Sequence, residues 1–294
     1  RMAGQLKEVR SRIASVQSTQ QITKAMKMVS AAKFRRAQDA IVQMRPYAQK
    51  LQEVLSNIVS NSDGDIKMAL AEERPVEKVL VIVITSDRGL AGAFNSNVVK
   101  LARSVINEKY QSQFEKGNVA IWNLGKKGFE AMTKLGYKTN EEHKDIFLHL
   151  SFENVQKISR AAMEAYEKKE FDAIEIVYSQ FKNAATQVFT AEQFLPIPKV
   201  ENKKGGPKAD FIFDPNKAEL IAELMPKILN TQLYKAVLDS NASEHGARMT
   251  SMDKASENAN EMLKSLKLSY NRARQAVITT ELTEIVSGAA ALQG

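Results

Sequence analysis

The turn Thr85-Ser86-Asp87-Arg88-Gly89-Leu90-Ala91-Gly92 is the segment of this sequence best placed to do chemistry. It follows the apolar, β-branched run from Val79 to Thr85, and a turn at a strand's carboxyl end is where α/β folds bind ligands. Its glycines lack the G-x-G-x-x-G spacing, and no G-K-S/T ending follows, so a backbone cradle for phosphate is missing. The plain reading is a tight turn in which Asp87 and Arg88 pair locally. Glu281 and Glu284 stand three residues apart on one helical face, a spacing open to general acid–base work. No histidine or nucleophile accompanies them, which leaves a solvated face. Met225, Met249, Met252 and Met262 read as seam packing rather than as a ligand box.

Composition narrows the chemistry further. The 294-residue chain has no cysteine, which removes disulfides, thiolate catalysis and Cys-based zinc sites and suits a reducing compartment. Its three histidines, His143, His149 and His245, fall in no metal-ligand spacing. No catalytic residue, cofactor site or metal ligand is therefore assigned. No segment approaches the roughly 20 apolar residues of a membrane-spanning helix. The basic N-terminus lacks the apolar stretch of a signal peptide, so an intracellular protein is expected.

The net charge of +8 is unevenly placed: residues 1–45 hold ten basic and two acidic side chains, and the remainder is formally neutral. Such a segment suits an acidic partner, whether nucleic acid, anionic lipid or an acidic protein surface. A coiled-coil RNA-binding arm would interleave aromatics with these basic residues. Only Phe34 does so within residues 1–45. A nucleotide-binding enzyme built on the Asp87 turn is the alternative from another class.

The elements that must position these residues are dominated by two long helices. From Leu6 to Ile58 one heptad register holds without a slip, which is the coiled-coil period. Its middle is polar (Gln20, Thr23, Lys27, Ser30), while Ile22, Met26 and Val29 lie on a different face. Pro46 is expected to kink or restart the helix, and Asn61-Ser62-Asp63-Gly64 to stop it. Asp214-Pro215 reads as the start of a second helix reaching about Leu292, with a clean register from Ala242 to Val277. The stretch from Lys235 to Ser251 is weaker, and Gly246 is expected to loosen it. At 1.5 Å per residue the helices measure ~80 Å and ~110 Å, too long for one small core, so they must pair antiparallel.

Between them, Val79–Thr85, Val119–Leu124, Ala173–Ser179 and Thr186–Leu195 read as strands. Asn97–Lys109, Lys127–Leu135 and Phe152–Lys168 read as helices. The alternation argues a parallel α/β sheet. The expected fold is α/β: a long antiparallel coiled coil of the terminal helices plus a small Rossmann-like domain. Its expected boundaries are a shaft at 1–62 and 210–294, a foot at 76–198 and an exposed loop at 199–209.

Both ends carry a specific resemblance. Ile22-Thr23-Lys24-Ala25-Met26-Lys27-Met28-Val29 resembles the N-terminal signature of the gamma subunits of F-type ATP synthases. Tyr270-Asn271-Arg272-Ala273-Arg274-Gln275-Ala276, leading into Ile278-Thr279-Thr280-Glu281-Leu282-Thr283-Glu284-Ile285-Val286-Ser287-Gly288, resembles the C-terminal one. The Ser86-Asp87-Arg88-Gly89-Leu90 turn and Ser243-Glu244-His245-Gly246-Ala247-Arg248-Met249 are similar to further features of that family.

The resemblance implies a non-catalytic rotor shaft within a ring of three alpha and three beta subunits. It implies a foot that meets the epsilon subunit and the membrane ring of c subunits. Proton flow would turn the foot and shaft, and the beta subunits would do the chemistry. Carried over by position, Lys24 and Met26 match sites near the moving beta lever. Arg248, Arg274 and Gln275 match contacts to the beta catch, with Thr279 and Glu281 near it. No cofactor and no nucleic acid are implied. The missing cysteines exclude the thiol regulation of the plant chloroplast version, and Ala91 stands where many relatives carry cysteine. The resemblance places the protein at the cytoplasmic face of a bacterial inner membrane, peripherally, or alternatively on the mitochondrial matrix side.

Overall fold

The six aliphatic residues Val79–Ile84 form the central strand, β1, and all six are fully buried. A strand apolar on both faces needs a layer on each side, and the rest of the chain supplies them. The structure, a computed structural model, describes residues 2–60, 69–198 and 217–294. The expected stop at Asn61–Gly64, the start at Asp214-Pro215 and the loop at 199–209 lie outside the described residues.

The helices are α1 (Met2–Ser60), α2 (Phe94–Lys109), α3 (Gln111–Glu115), α4 (Lys126–Lys134), α5 (Phe152–Glu167) and α6 (Lys217–Gln293). The strands after β1 are β2 (Val119–Leu124), β3 (Lys138–Asn140), β4 (Ala173–Phe181) and β5 (Gln187–Leu195). The chain divides into two compact units, Arg1–Ser30 with Arg248–Gly294, and Ala31–Ala247.

In the second unit the strand order is β3-β2-β1-β4-β5. The first four strands pair in parallel, and β5 pairs antiparallel to β4. The sheet is parallel as the alternation argued, except at its edge, where β5 runs antiparallel. Only residues 182–186 join β4 to β5, and so short a link permits only a hairpin. Strand β3 was not foreseen, since Lys-Thr-Asn carries no apolar run.

Alternate residues of β1 divide the core. Leu80, Ile82 and Ile84 pack with Val155, Ile158 and Tyr166 of α5 and with Ile221, Met225 and Leu229 of α6. Val79, Val81 and Val83 pack with Val98, Ala102 and Ile106 of α2 and Met132 of α4. Each such aliphatic side chain contributes about 1.5–3 kcal/mol when fully buried. Ser151 caps α5, its side chain accepting the Asn154 N–H at 3.1 Å.

Two expectations about the long helices are corrected. Helix α1 runs through Pro46 without restarting. Ile41 on one side and Leu51 on the other are anchored in the core, and this packing holds the helix across the missing hydrogen bond. Helix α6 is continuous through Lys235–Ser251, and Gly246 does not loosen it. That stretch departs from the heptad because it packs on more than a partner helix. Leu238 and Ala242 join Ala37, Ile41 and Phe181 in one cluster, with Phe34 edge-on to Phe181 at 5.7 Å. A Cβ on Gly246 would stand 3.1 Å from the Ala184 carbonyl oxygen, so glycine there permits close approach.

Candidate functional site

The strand order reverses between β1 and β4, and the crevice beyond their carboxyl ends is where such sheets hold ligands. Here the chain itself fills that crevice. Ala247 of α6 packs with Ala91 and Phe94 after β1. Ser243 Oγ donates to the Ser179 carbonyl at 3.4 Å, and Gln187 Nε2 donates to the Ser243 carbonyl at 3.5 Å.

The turn after β1 is a brace between helices. The Ser86 N–H donates to Asn95 Oδ1 of α2 at 3.0 Å, and Ser86 Oγ donates to the Arg88 carbonyl at 2.6 Å. Asp87 Oδ1 accepts the Lys126 N–H at 3.0 Å, and Thr85 Oγ1 accepts the Gly128 N–H at 2.8 Å. The expected Asp87–Arg88 pair is therefore corrected: the Asp87 carboxylate serves the N-terminus of α4, where exposed N–H groups attract an anion. Gly125 holds α4 against this turn at φ 119°, where a Cβ would fall 2.6 Å from the Thr85 carbonyl oxygen. Among the described residues no group of three His, Asp or Glu is placed to hold a metal ion.

The first unit is a helix pair with a polar seam. Thr23 Oγ1 meets Ser256 Oγ at 2.7 Å, and Lys27 Nζ donates to Asp253 Oδ1 at 2.5 Å. Nearer the N-terminus, Arg10 donates to the Tyr270 hydroxyl at 2.9 Å, and Thr280 Oγ1 approaches Met2 Sδ at 3.5 Å. Each advance along α1 is matched by a retreat along α6, so the pair is antiparallel. Met252, Ser256, Ala259, Leu263 and Leu266 are buried along it. Two of the polar positions read from the heptads of α1, Thr23 and Lys27, thus meet polar partners on α6. Asp253 escaped that reading because it lies beside the heptad position of Met252 rather than on it.

The seven singled-out residues lie on this unit. Lys24, Arg274, Gln275, Thr279 and Glu281 are exposed, and Met26 is half-buried. Arg248 is only 7% exposed and is engaged within the chain. They form bands rather than a cluster. Lys24 and Met26 lie level with Asp253 and Ser256. Arg248 lies about 12 Å along the axis on one side, and Arg274 about 27 Å on the other, at 1.5 Å per residue. From Glu281 onward every residue of α6 is exposed, including Leu282, Ile285, Val286 and Leu292. Among the described residues nothing in the chain covers this segment, and it carries no charge after Glu284. No described helix is long and apolar enough to cross a membrane.

The family model described as ATP synthase matches residues 5–292. The ATP synthase gamma chain of Cytophaga hutchinsonii is 54% identical over 290 residues, covering 98% of each chain. That of Flavobacterium johnsoniae is 51% identical over 98% of this chain and 99% of the relative. The fold is that of a chain in the rotor of the Euglena gracilis mitochondrial ATP synthase, with a TM-score of 0.63 at 23% identity, covering 94% of this chain and 99% of that one. A chain from its OSCP/F1/c-ring assembly matches with a TM-score of 0.67 at 22% identity, over 99% of this chain and 95% of that one. Matched from end to end, with half its residues shared with bacterial relatives, the chain belongs to the ATP synthase gamma-chain family.

Proposed function

We infer that this chain is the central rotor stalk of a proton-translocating F-type ATP synthase. It couples rotation of the membrane c-ring to conformational change at the catalytic beta subunits and catalyses nothing itself. The observation that carries this reading is the exposed apolar end of α6 beside a polar-seamed helix pair. A helix end of Leu282, Ile285, Val286 and Leu292 left uncovered by the described residues of its own chain calls for a sleeve. The sleeve is the ring of three alpha and three beta subunits.

The shaft comprises residues 1–62 and 210–294. The foot, 76–198, meets the epsilon subunit and the c-ring. The chain is a peripheral, membrane-associated subunit, and in a bacterium its place is the cytoplasmic face. Lys24, Met26, Arg274, Gln275, Thr279 and Glu281 are the coupling contacts to beta. Arg248, engaged within the chain, reaches beta only through what remains exposed. The shaft then acts as a ligand with a different affinity for each beta conformation, and turning it changes which conformation is favoured.

A cysteine-free chain allows a direct test. Gln275→Cys, oxidatively joined to a cysteine in the beta catch of a reconstituted complex, should stop ATP hydrolysis, and reductant should restore it. Full turnover by the cross-linked complex would defeat the rotor reading.

A further inference from the structure

Within the Ala31–Ala247 unit a cavity of about 780 Å³ lies between α1, α6 and the β4–β5 hairpin. Ile41, Met44, Leu51, Ile228, Leu229 and Leu238 form the apolar part of its wall, with Gln49, Gln52, Gln180 and Gln232 between them. Its inner surface is acidic. Asp239 is 3% exposed and lies beside the Phe181 backbone N–H. Glu192 on β5 accepts the hydroxyl of the buried Tyr178 and, at 3.4 Å, a hydrogen from Gln232 Nε2. The charged groups facing it from the other elements are Arg45 and Glu53 on α1 and Lys235 on α6, all three exposed. Among the described residues neither Arg45 nor Lys235 forms an ion pair with Asp239 or Glu192. By depth, Asp239 and Glu192 line the inside, while Arg45, Lys235 and Glu53 stand at the solvent edge.

A carboxylate in an apolar recess without a counter-ion is costly, and it either takes up a proton or gains from an arriving cation. The cavity lies in the size range of sites that enclose small organic molecules, and apolar walls with a few convergent polar groups are their usual lining. We propose that this cavity binds a small organic cation, a protonated amine on an apolar body. The ammonium sits against Asp239 and Glu192, and the body lies on the Ile41, Met44 and Leu238 wall. An anion would meet two carboxylates, and a neutral apolar molecule would leave both unpaired. An occupant touches α1, α6 and the hairpin together, so it ties three elements of this unit to one another. The site shares no residue with the coupling contacts to beta and does not rest on the rotor reading.

The test uses the purified full chain and three probes of one shape: phenylbutylamine, phenylbutanol and phenylbutyrate. Binding is followed by the methyl resonances of Ile41 and Met44 and by calorimetry, above the titration range of Asp239. The amine is expected to shift both methyl signals and to bind at least ~10-fold more tightly than the alcohol, with the acid weakest. Asp239→Asn is expected to weaken the amine ~10-fold while leaving the alcohol unchanged. Glu192→Gln provides a second variant with the same expected direction. Absence of amine binding, equal binding of the alcohol or the acid, or an amine affinity unmoved by both variants would overturn the proposal.

Discussion

Thr23 Oγ1 and Ser256 Oγ lie 2.7 Å apart at a buried crossing of α1 and α6, 233 residues apart in sequence. Thr23 Oγ1 donates to the Gln20 carbonyl at 3.0 Å, which leaves Ser256 Oγ to donate to Thr23, so the pair forms a short polar relay inside the seam. Removing Thr23 strands the buried Ser256 hydroxyl at about 1–3 kcal/mol, Ser256→Ala costs less because Thr23 keeps the Gln20 carbonyl, and removing both together is close to neutral. Ser256→Ala and Thr23→Val should each speed amide hydrogen exchange in residues 250–263 of the isolated chain, and the double variant should recover most of the protection. Additive loss in the double variant would show that the two hydroxyls are not coupled.

The exposed Arg274 and Gln275 and the uncharged end of α6 should separate in function. On the proposed role of Arg274, Arg274→Ala is expected to lower ATPase turnover of the reconstituted complex by about 10-fold with normal assembly, as loss of a charge-assisted bond to beta would. Deleting residues 289–294 should cost less, since an uncharged helix end can guide but not grip. ATPase rate against assembly yield measures both. A silent Arg274→Ala beside an inactivating truncation would reverse the roles.

Asp239 gives the fold a pH dependence. Burial pushes its carboxyl up to about 6, aided by Glu192 and opposed by Lys235, Arg45 and the Phe181 N–H. Between the ordinary carboxylate range and about 6, the folded chain holds a proton that the unfolded chain has released. Stability therefore falls as pH rises through this window, by on the order of 3 kcal/mol for this group alone. Urea titrations of the full chain should show that slope relative to Asp239→Asn, in which it is absent. Parallel pH profiles for the two proteins would refute it.

Gly125 should tolerate no side chain. Its φ of 119° disfavours any other residue, and the obstructing atom is the Thr85 backbone oxygen, which cannot swing aside. Gly125→Ala is expected to destabilise by about 2–3 kcal/mol or more, while Gly4→Ala, with open space around it, should be neutral or stabilising. Thermal melts of the two variants supply the comparison.

The sequence alone determined those elements whose physics is local and periodic. Val79–Ile84 reads as a strand buried on both faces, because the run is short and β-branched and six consecutive aliphatic residues leave no polar side to turn to water. The heptads from Leu6 and from Ala242 specified two long helices in need of each other. The polar middle of the first seam was equally legible, since Gln20, Thr23, Lys27 and Ser30 recur at the same period as their apolar neighbours. The contacts proposed to beta rest on the spelling of the two end segments rather than on any pattern of charge or hydropathy.

Tertiary structure decided what depends on neighbours distant in the chain. Strand β5 runs antiparallel because of the short link before it, and β3 forms although its three residues carry no apolar signal, because β2 offers it an edge. Asp87 turns to the N-terminus of α4 rather than to Arg88 because Gly125 lets that helix approach the turn. The stretch Lys235–Ser251 looks irregular as a coiled coil because its side chains answer to a sheet and two turns as well as to a helix. The depth of Asp239 was hidden for the same reason. A single carboxylate in a helix reads as solvent-facing until the hairpin and α1 are placed over it, and burial is a property of those three elements together.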